Sequence, residues 1–392
     1  MGGPQCLTIT TPPPIVFSAL ECHIPGTRAS SGFMLKSTLA NPENIFVATE
    51  WPLVSILIVN YDGAKVLKDC LESLRILAYP NFEVVVVDNA SKDSSREVLA
   101  QYPVVQVICS ERNRGFAGGN NLGLSACRGK LVLLLNSDTI VTSDFLQPLV
   151  EYLRDHPQVG IVQAKMFLGR HADALDVCGS FLTSFGFLYH YGYWKQDDEL
   201  YCRSYPVFTV KGACLMFRRE LILQVGGYLF NEDFFCYYEE TDFCHRAWLA
   251  GYESHFVHSS KINHLQGTTS ERTQKHGFIL RQYLKNQTFA LCSNLSGGSL
   301  LRILPGYFLL FSASMFAALL TGRRMIFAAH WHALSYNLKN PGKIRAQRRL
   351  IQNIRKVTDR AIFAKVMRNP RLNYFIKTFR GQLRQYRDEA IK

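Results

Sequence analysis

The sequence predicts an α/β fold with a largely parallel sheet. Three observations carry that expectation. Short apolar runs recur between residues 54 and 135, stretches of helical spacing separate them, and each run ends in a polar or acidic turn. Strands alternating with helices form a parallel sheet through crossover connections.

Residues 54–59 (VSILIV) are a short apolar run ending at Asn60-Tyr-Asp-Gly63, the pattern of a buried strand and its turn. Apolar residues at 66, 67, 70, 71, 74 and 77 then keep helical spacing. Residues 82–87 (FEVVVV) give the second strand, closed by Asp88-Asn-Ala-Ser91. A helix is expected over 93–102, a third strand over 104–109, a helix over 118–127 and a fourth strand over 130–135. That strand closes at Asn136-Ser-Asp-Thr139. Further on, 160–167, 207–217 and 254–262 read as strands, 181–205 is rich in Phe, Tyr and Gly, and an acidic cluster runs into a helix over 232–251. Ligands of such sheets bind beyond the carboxyl ends of the strands. Asn60, Asp62, Asp88, Asn89, Asn136 and Asp138 all fall there.

At roughly 100–200 residues per domain, 392 residues allow two domains. The hydrophobic share of 47% excludes full-length disorder, and ordinary Gly and Pro contents exclude a collagen-like chain. Residues 1–50 are expected to be a poorly ordered extension with a short strand near 45–48, 51–270 the α/β domain, and 271–392 a helical, basic region. The net charge is +13, yet 321–392 holds 18 Lys and Arg against 3 Asp and Glu, so the rest of the chain is near neutral. A basic tail suits a polyanionic partner such as a membrane surface or nucleic acid. Residues 303–320 carry no charge and would form a helix of about 27 Å, close to a ~30 Å hydrocarbon core. A span, a re-entrant hairpin, an interfacial helix and a buried helix pair all remain open there. The 11 cysteines include no C-x-x-C pair, so a zinc cluster or redox motif is disfavoured and reduced core cysteines of a cytosolic chain are expected. Asn286-Gln-Thr and Asn294-Leu-Ser match the glycosylation pattern and are read as chance matches.

Four constellations carry chemistry. Asp88 ends a valine strand, where a carboxylate can accept from a nucleobase or ribose, or cap the next helix. Asn113-Arg-Gly-Phe-Ala-Gly-Gly-Asn-Asn121 is a glycine-rich turn opening a helix, suited to phosphate or simply to a tight junction. It is neither a Walker loop nor G-x-G-x-x-G. Asn136-Ser-Asp138 is an acidic strand end able to hold a hard divalent ion, with His264 a further ligand or diphosphate contact. Glu239-Glu-Thr-Asp242 sets three carboxylates within four residues, where like charges raise one pKa and create a general base; a solvated helix N-terminus is the plainer alternative.

In their order along 54–270, these segments resemble glycosyltransferase family 2, inverting enzymes of the GT-A fold, and most closely its bacterial rhamnosyltransferase-type branch. The resemblance also rests on Gly212-Ala-Cys-Leu-Met-Phe-Arg218, Gly226-Gly-Tyr228, Phe235-Cys-Tyr-Tyr238, Arg246 and Gly267. It implies a Rossmann-like central sheet, a nucleotide-sugar donor such as dTDP-rhamnose, and Mg²⁺ or Mn²⁺ as cofactor. Donor contacts are then expected from Asn60, Asp88, Asn113, Gly115, Gly118, Asn120, Asn136 and Asp138, and metal contacts from Asp138 and His264. The family base position carries Glu240, with Glu239 and Asp242 as the other candidates, and the D-x-D-like motif begins with Asn136. The implied acceptor is a saccharide or lipid-linked saccharide of a cell-surface polysaccharide, handled at the cytoplasmic face of a membrane. Lys343, Arg345, Arg348, Arg349, Arg355 and Lys356 would hold the anionic lipid. Phe185, Tyr189, Tyr191, Tyr193 and Trp194 would stack on sugars or form a packed cluster. The rival readings are a UDP-hexose transferase, a non-catalytic nucleotide-sugar module and a nucleic-acid binder. The last is disfavoured because no nucleic-acid module is present.

Overall fold

The computed structural model describes residues 51–169, 171–265, 276–379 and 385–391. The expectations for 1–50 and for Gly267 lie outside the described residues.

The first half alternates strand and helix: β1 (Val54–Asn60), α1 (Ala64–Leu74), β2 (Phe82–Asp88), α2 (Ser95–Leu99), β3 (Gln106–Cys109), α3 (Gly115–Leu124), β4 (Leu131–Leu135), β5 (Thr139–Val141) and α4 (Leu146–Asp155). The second half adds β6 (Val159–Leu168), β7 (His171–Leu175), β8 (Ser180–Leu182), β9 (Leu188–His190), β10 (Tyr205–Val207), β11 (Cys214–Arg218), α5 (Leu221–Gln224), α6 (Glu239–Ala250) and β12 (Glu253–His264). The main sheet runs β10-β12-β6-β11-β4-β1-β2-β3. β3, β2, β1 and β4 are parallel neighbours, β11 runs against both β4 and β6, and β12 lies parallel to β6. Six of these eight strands therefore point the same way, which makes a GT-A sheet, mostly parallel with two reversed strands. The single strand expected over 207–217 divides into β10 and β11, with Lys211 and Gly212 in the turn between them.

Strand side chains alternate between two faces. Ile56 and Ile58 of β1 join Leu67, Leu71 and Leu74 of α1 and Leu149 and Leu153 of α4. Leu57, between them, joins Ala117 of α3 and Phe243 and Ala247 of α6 on the opposite face. Burial on both faces explains why these strands read as continuous apolar runs. The glycines of the turn at 113–121 serve packing as well as conformation. A Cβ on Gly119 would overlap Val59, so α3 rides directly on β1.

The region after 270 is helical: His276–Asn294, Gly297–Leu320, Arg324–Lys339, Pro341–Ile354, Asp359–Val366 and Leu372–Phe379. Part of it forms a cluster of its own, with Leu284, Leu291, Leu295, Ile303, Tyr307, Phe311 and Ala333, and part packs on the α/β half. Phe289, Ile351, Ile362, Val366 and Tyr374 belong to the same cluster as Leu57, Val87 and Phe243. Asn286 and Asn294 are buried and hydrogen-bonded, so neither glycosylation-like triplet presents an accessible amide. Cys70, Cys127, Cys178, Cys214 and Cys244 are buried free thiols, as expected, but Cys109 is disulfide-bonded.

Candidate active site

The carboxyl ends of β1 and β2 meet in register, Asn60 beside Asp88, and both side chains are buried. Asp88 accepts from Arg96 Nε at 2.8 Å and from Ser91 N at 3.2 Å. Asn60 Nδ2 donates to Ser91 Oγ at 3.2 Å, while its Oδ1 is buried with no partner among the described residues. A buried acceptor of this kind costs stability unless a donor meets it, which suits a site that receives a ligand.

Asn89 organises the glycine-rich turn. Its Nδ2 donates to Asn113 Oδ1 at 3.1 Å and to the Gly115 carbonyl at 3.0 Å, and its Oδ1 accepts from Arg114 N at 2.9 Å. Gly115 has φ +69°, and a Cβ there would overlap the Phe235 carbonyl. That carbonyl accepts from Ala117 N at 3.0 Å, so the loop before α6 is hooked to the first turn of α3. Gly118 lies on the α3 side facing Arg114. Asn120 is turned into its own helix, bonding the Phe116 carbonyl at 2.9 Å, and is less available to a donor than Asn113.

Asp138 and His264 lie far apart in sequence and meet because β12 pairs with β5, His264 opposite Thr139. Leu265 N donates to the Asp138 carbonyl at 2.8 Å, and Asp138 Oδ1 stands 3.3 Å from His264 Nε2. The other imidazole nitrogen bonds Asp176 Oδ2 at 2.7 Å. Asp176, fully buried, also takes Lys211 Nζ at 2.5 and 2.6 Å. Burial would lower the His264 pKa, but the bonds to Asp138 and Asp176 outweigh it and hold it above the usual value. Burial would likewise raise Asp138 and Asp176. The imidazole lowers Asp138, and Lys211 together with the imidazole lowers Asp176, so both stay below the usual carboxylate range.

A divalent ion fits this pair. Two adjacent ligands of an octahedral ion with bonds of ~2.1 Å stand about 3 Å apart, close to the 3.3 Å observed. A metal-ligating imidazole ordinarily gives its second nitrogen to a carboxylate, as His264 does to Asp176. Among the described residues no group of three or more His, Cys, Asp or Glu stands as a complete metal centre. Two protein ligands suit an ion that takes its remaining oxygens from a diphosphate and water. Asn136, half-buried at the same strand end, is anchored by its backbone N–H to the Ala213 carbonyl at 3.0 Å.

The acidic cluster opens α6 after a distorted loop. Phe235, Tyr237 and Tyr238 all have positive φ, and Cys236 N closes a γ-turn on the Phe234 carbonyl at 2.7 Å. Such a turn is strained and is held by its surroundings. Asn286 of the His276–Asn294 helix supplies the hold, donating to the carbonyls of Phe234, Cys236 and Tyr237 at 3.0, 3.1 and 2.6 Å. Glu239 is buried, its Oε2 has no partner among the described residues, and burial beside Glu240 pushes its pKa far up. Glu240 is half-buried; burial pushes it up to about 7, against helix N-terminal amides and the charge of Lys211. The charge of Lys211 thus acts on Glu240 while its Nζ holds Asp176 at the end of the Asp176–His264–Asp138 chain.

Asp242 is corrected as a base candidate. Its oxygens accept from Arg246 Nε at 2.8 Å and Asn294 Nδ2 at 2.9 Å, and Arg246, fully buried, also bonds the Val225, Tyr228 and Leu229 carbonyls. Asp242 therefore fastens α6 to its surroundings, both of its oxygens engaged by buried donors. Tyr189 and Tyr191 are also unavailable for stacking on a sugar. Both are buried, and Asp388 accepts from Tyr189 and Tyr201 hydroxyls at 2.7 and 2.8 Å. Asp176, Lys211 and Asn286 carry roles that the sequence does not mark. Lys211 adjoins a motif visible there; Asp176 and Asn286 carry no local signal. A cavity of about 1190 Å³ at the amino ends of β1 and β4, lined by Trp51, Lys130, Arg219 and Tyr228, holds none of the site residues.

Residues 55–226 match Glycosyl transferase family 2. The stretch runs from β1 past β11 and includes Asp88, the glycine-rich turn, Asp138, Asp176 and Lys211. Over 202 residues the chain is 30% identical to the low-salt glycan biosynthesis hexosyltransferase Agl10 of Haloferax volcanii, covering 50% of this chain and 61% of that one. It is 31% identical over 232 residues to the uncharacterized protein y4gI of Sinorhizobium fredii, covering 54% and 24% of the two. The chain thus spans about a quarter and about three-fifths of these curated relatives. A structure of GalNAc-T7 with UDP, GalNAc and Mn²⁺ superposes with a TM-score of 0.57 at 14% identity, covering 84% of this chain and 58% of that one, and shares its fold.

Proposed function

We propose that this chain is an inverting glycosyltransferase that moves a sugar from a nucleotide-sugar donor to an acceptor hydroxyl in cell-surface glycan synthesis. One observation carries the reading: Asp138 and His264 stand 3.3 Å apart at the strand ends, His264 is held by Asp176, and Lys211, which bonds Asp176, also exerts its charge on Glu240, a carboxyl that burial pushes up to about 7. A general base works best with a pKa near the operating pH. Glu240 takes the proton from the acceptor hydroxyl, and the oxygen attacks the anomeric carbon as the bond to the diphosphate breaks on the opposite face. Inversion follows from that single displacement. Asp88, Asn60, Asn113 and Gly115 receive the nucleotide. Asp138 and His264 would hold Mg²⁺ or Mn²⁺, which supplies charge neutralisation for the leaving diphosphate. The donor proposed first is dTDP-rhamnose, with UDP-hexoses as the competing class. The acceptor proposed is a saccharide carried on lipid at the cytoplasmic face of a membrane.

The test is thermal stabilisation by a panel of nucleotide-sugars with and without Mn²⁺. A ligand at about 100 times Kd adds roughly 2.7 kcal/mol. A Mn²⁺-dependent shift with one nucleotide class supports the reading and names the donor. A folded chain that responds to none of them would overturn it.

A further inference from the structure

Between Arg272 and Thr358 the sequence holds fourteen Lys and Arg and no Asp or Glu. The Gly297–Leu320 helix inside this stretch is apolar on every side but covered on only one. Ile303, Tyr307, Phe311 and Ala318 pack inward, and the Tyr307 hydroxyl bonds Thr288 Oγ1 at 2.8 Å. Leu301, Leu309, Phe316 and Leu320 stand 81%, 68%, 60% and 71% exposed. Their spacing of eight, seven and four residues places them along one stripe of a 3.6-residue helix. A helix that is hydrophobic all round is normally buried on all sides. In the next helix, Arg324–Lys339, Trp331 is also 57% exposed. Arg302 flanks the stripe at one end, and exposed Arg323 and Arg324 flank it at the turn between the helices.

We infer that this hairpin lies in the interface of an anionic membrane, its outer stripe sunk among the acyl chains and Arg302, Arg323 and Arg324 at headgroup level. Apolar residues beside cations, with Trp at the margin, are the composition of an interfacial helix. The 24-residue helix is long enough to span, at about 36 Å. Spanning would strip Tyr307 from Thr288 and Ile303 from its cluster, whereas lying flat keeps both contacts. A second copy is the poorer occupant, because a stretch without carboxylates would set cations against cations. This surface is distinct from the basic residues expected to hold lipid, of which Arg345 and Arg349 are exposed and the other four are engaged within the fold. Lys343 pairs with Asp233, Arg348 bonds the Cys292 and Leu295 carbonyls, Arg355 pairs with Asp359, and Lys356 reaches Gln224.

The His276–Asn294 helix lies between the hairpin and the catalytic loop, touching Tyr307 through Thr288 and the loop through Asn286. One helix thickness is about 10 Å. Docking would therefore bring Glu240 to within reach of a lipid-anchored saccharide. This inference deepens the glycosyltransferase reading and rests on it only for the nature of the acceptor.

The full chain is spun down with vesicles of phosphatidylcholine alone and of phosphatidylcholine mixed with phosphatidylglycerol, an assay that needs no activity. The mixed vesicles are expected to retain it. Arg323→Gln with Arg324→Gln should lower partition roughly 25-fold, about fivefold per cation. Leu309→Ser with Phe316→Ser and Leu320→Ser should lower it about tenfold or more. Thermal melting confirms that each variant is folded, and the arginine pair decides the matter if the apolar triple is not. Failure of the wild type to bind either vesicle, or equal binding by the variants, overturns the inference. So does a dimer split by the apolar triple without vesicle binding. Membranes that keep the chain through alkaline carbonate would mean that the helix spans. Nucleotide-sugar stabilisation, measured separately, would show whether the transferase reading stands regardless.

Discussion

Asp176→Asn tests the chain of contacts that organises the site. The native carboxylate is fully buried between Lys211, at 2.5 and 2.6 Å, and His264 Nδ1, at 2.7 Å. The amide keeps the shape and removes the charge, leaving Lys211 beside a neutral group. Breaking a buried pair costs about 3–5 kcal/mol, and since Lys211 keeps 30% of its side-chain exposure, the lower end, about 3 kcal/mol, is expected. The sign with pH is fixed. The Asp176 pKa is depressed on folding, so its stabilisation is complete above the unfolded value near 4 and is lost as pH falls through the native one. The mutant's deficit in urea denaturation should therefore be full at neutral pH and shrink in acid. Loss of the carboxylate behind a metal-ligating imidazole typically costs 10–100-fold in metal affinity, so Mn²⁺ titration of the donor complex should shift by that factor. Wild-type stability at pH 7, together with unchanged Mn²⁺ dependence, would refute the reasoning.

Glu240→Gln should bind nucleotide-sugar normally and lose transfer by about 10²–10⁴-fold, measured as turnover against Kd. In the wild type the rate should fall as pH drops below about 7, because burial raises the Glu240 pKa and the base is then protonated. A flat rate from pH 5 to 8 would remove Glu240 from the role. Asn286→Ala, which strips the carbonyls of Phe234, Cys236 and Tyr237, should cost roughly 1–3 kcal/mol of stability and lower kcat more than donor affinity. Asp242→Asn should destabilise the chain, read as a lowered Tm, while the pH profile of the remaining activity keeps its midpoint near 7.

The fold was legible because its signals are local. Alternating apolar runs and turn residues mark β1, β2 and β4, and the polar side chains at their ends follow from the strands themselves. The pairing of Asp138 with His264 depends on β5 meeting β12 in one register, which no local pattern encodes. Asp176 lies in an unremarkable stretch, and its importance is created by two long-range partners. Asp242 looked equivalent to Glu240 because both are carboxylates in one helical turn. Its neighbour Arg246, an i,i+4 partner, was visible, but burial of the pair was not. The resemblance likewise set Arg348 and Arg355 on a lipid-facing surface. In three dimensions they bond the last carbonyls around Asn294, where cations favour a helix C-terminus.

The amide of Asn286 gives the catalytic loop a support from outside the matched stretch. Cutting the chain at the end of that stretch would remove Glu240 and its loop together with the Asn286 that supports them. Exchange of C-terminal regions between relatives would then transmit changes in membrane seating straight into the reactivity of the base. Anchorage and turnover would be inherited together, as one trait.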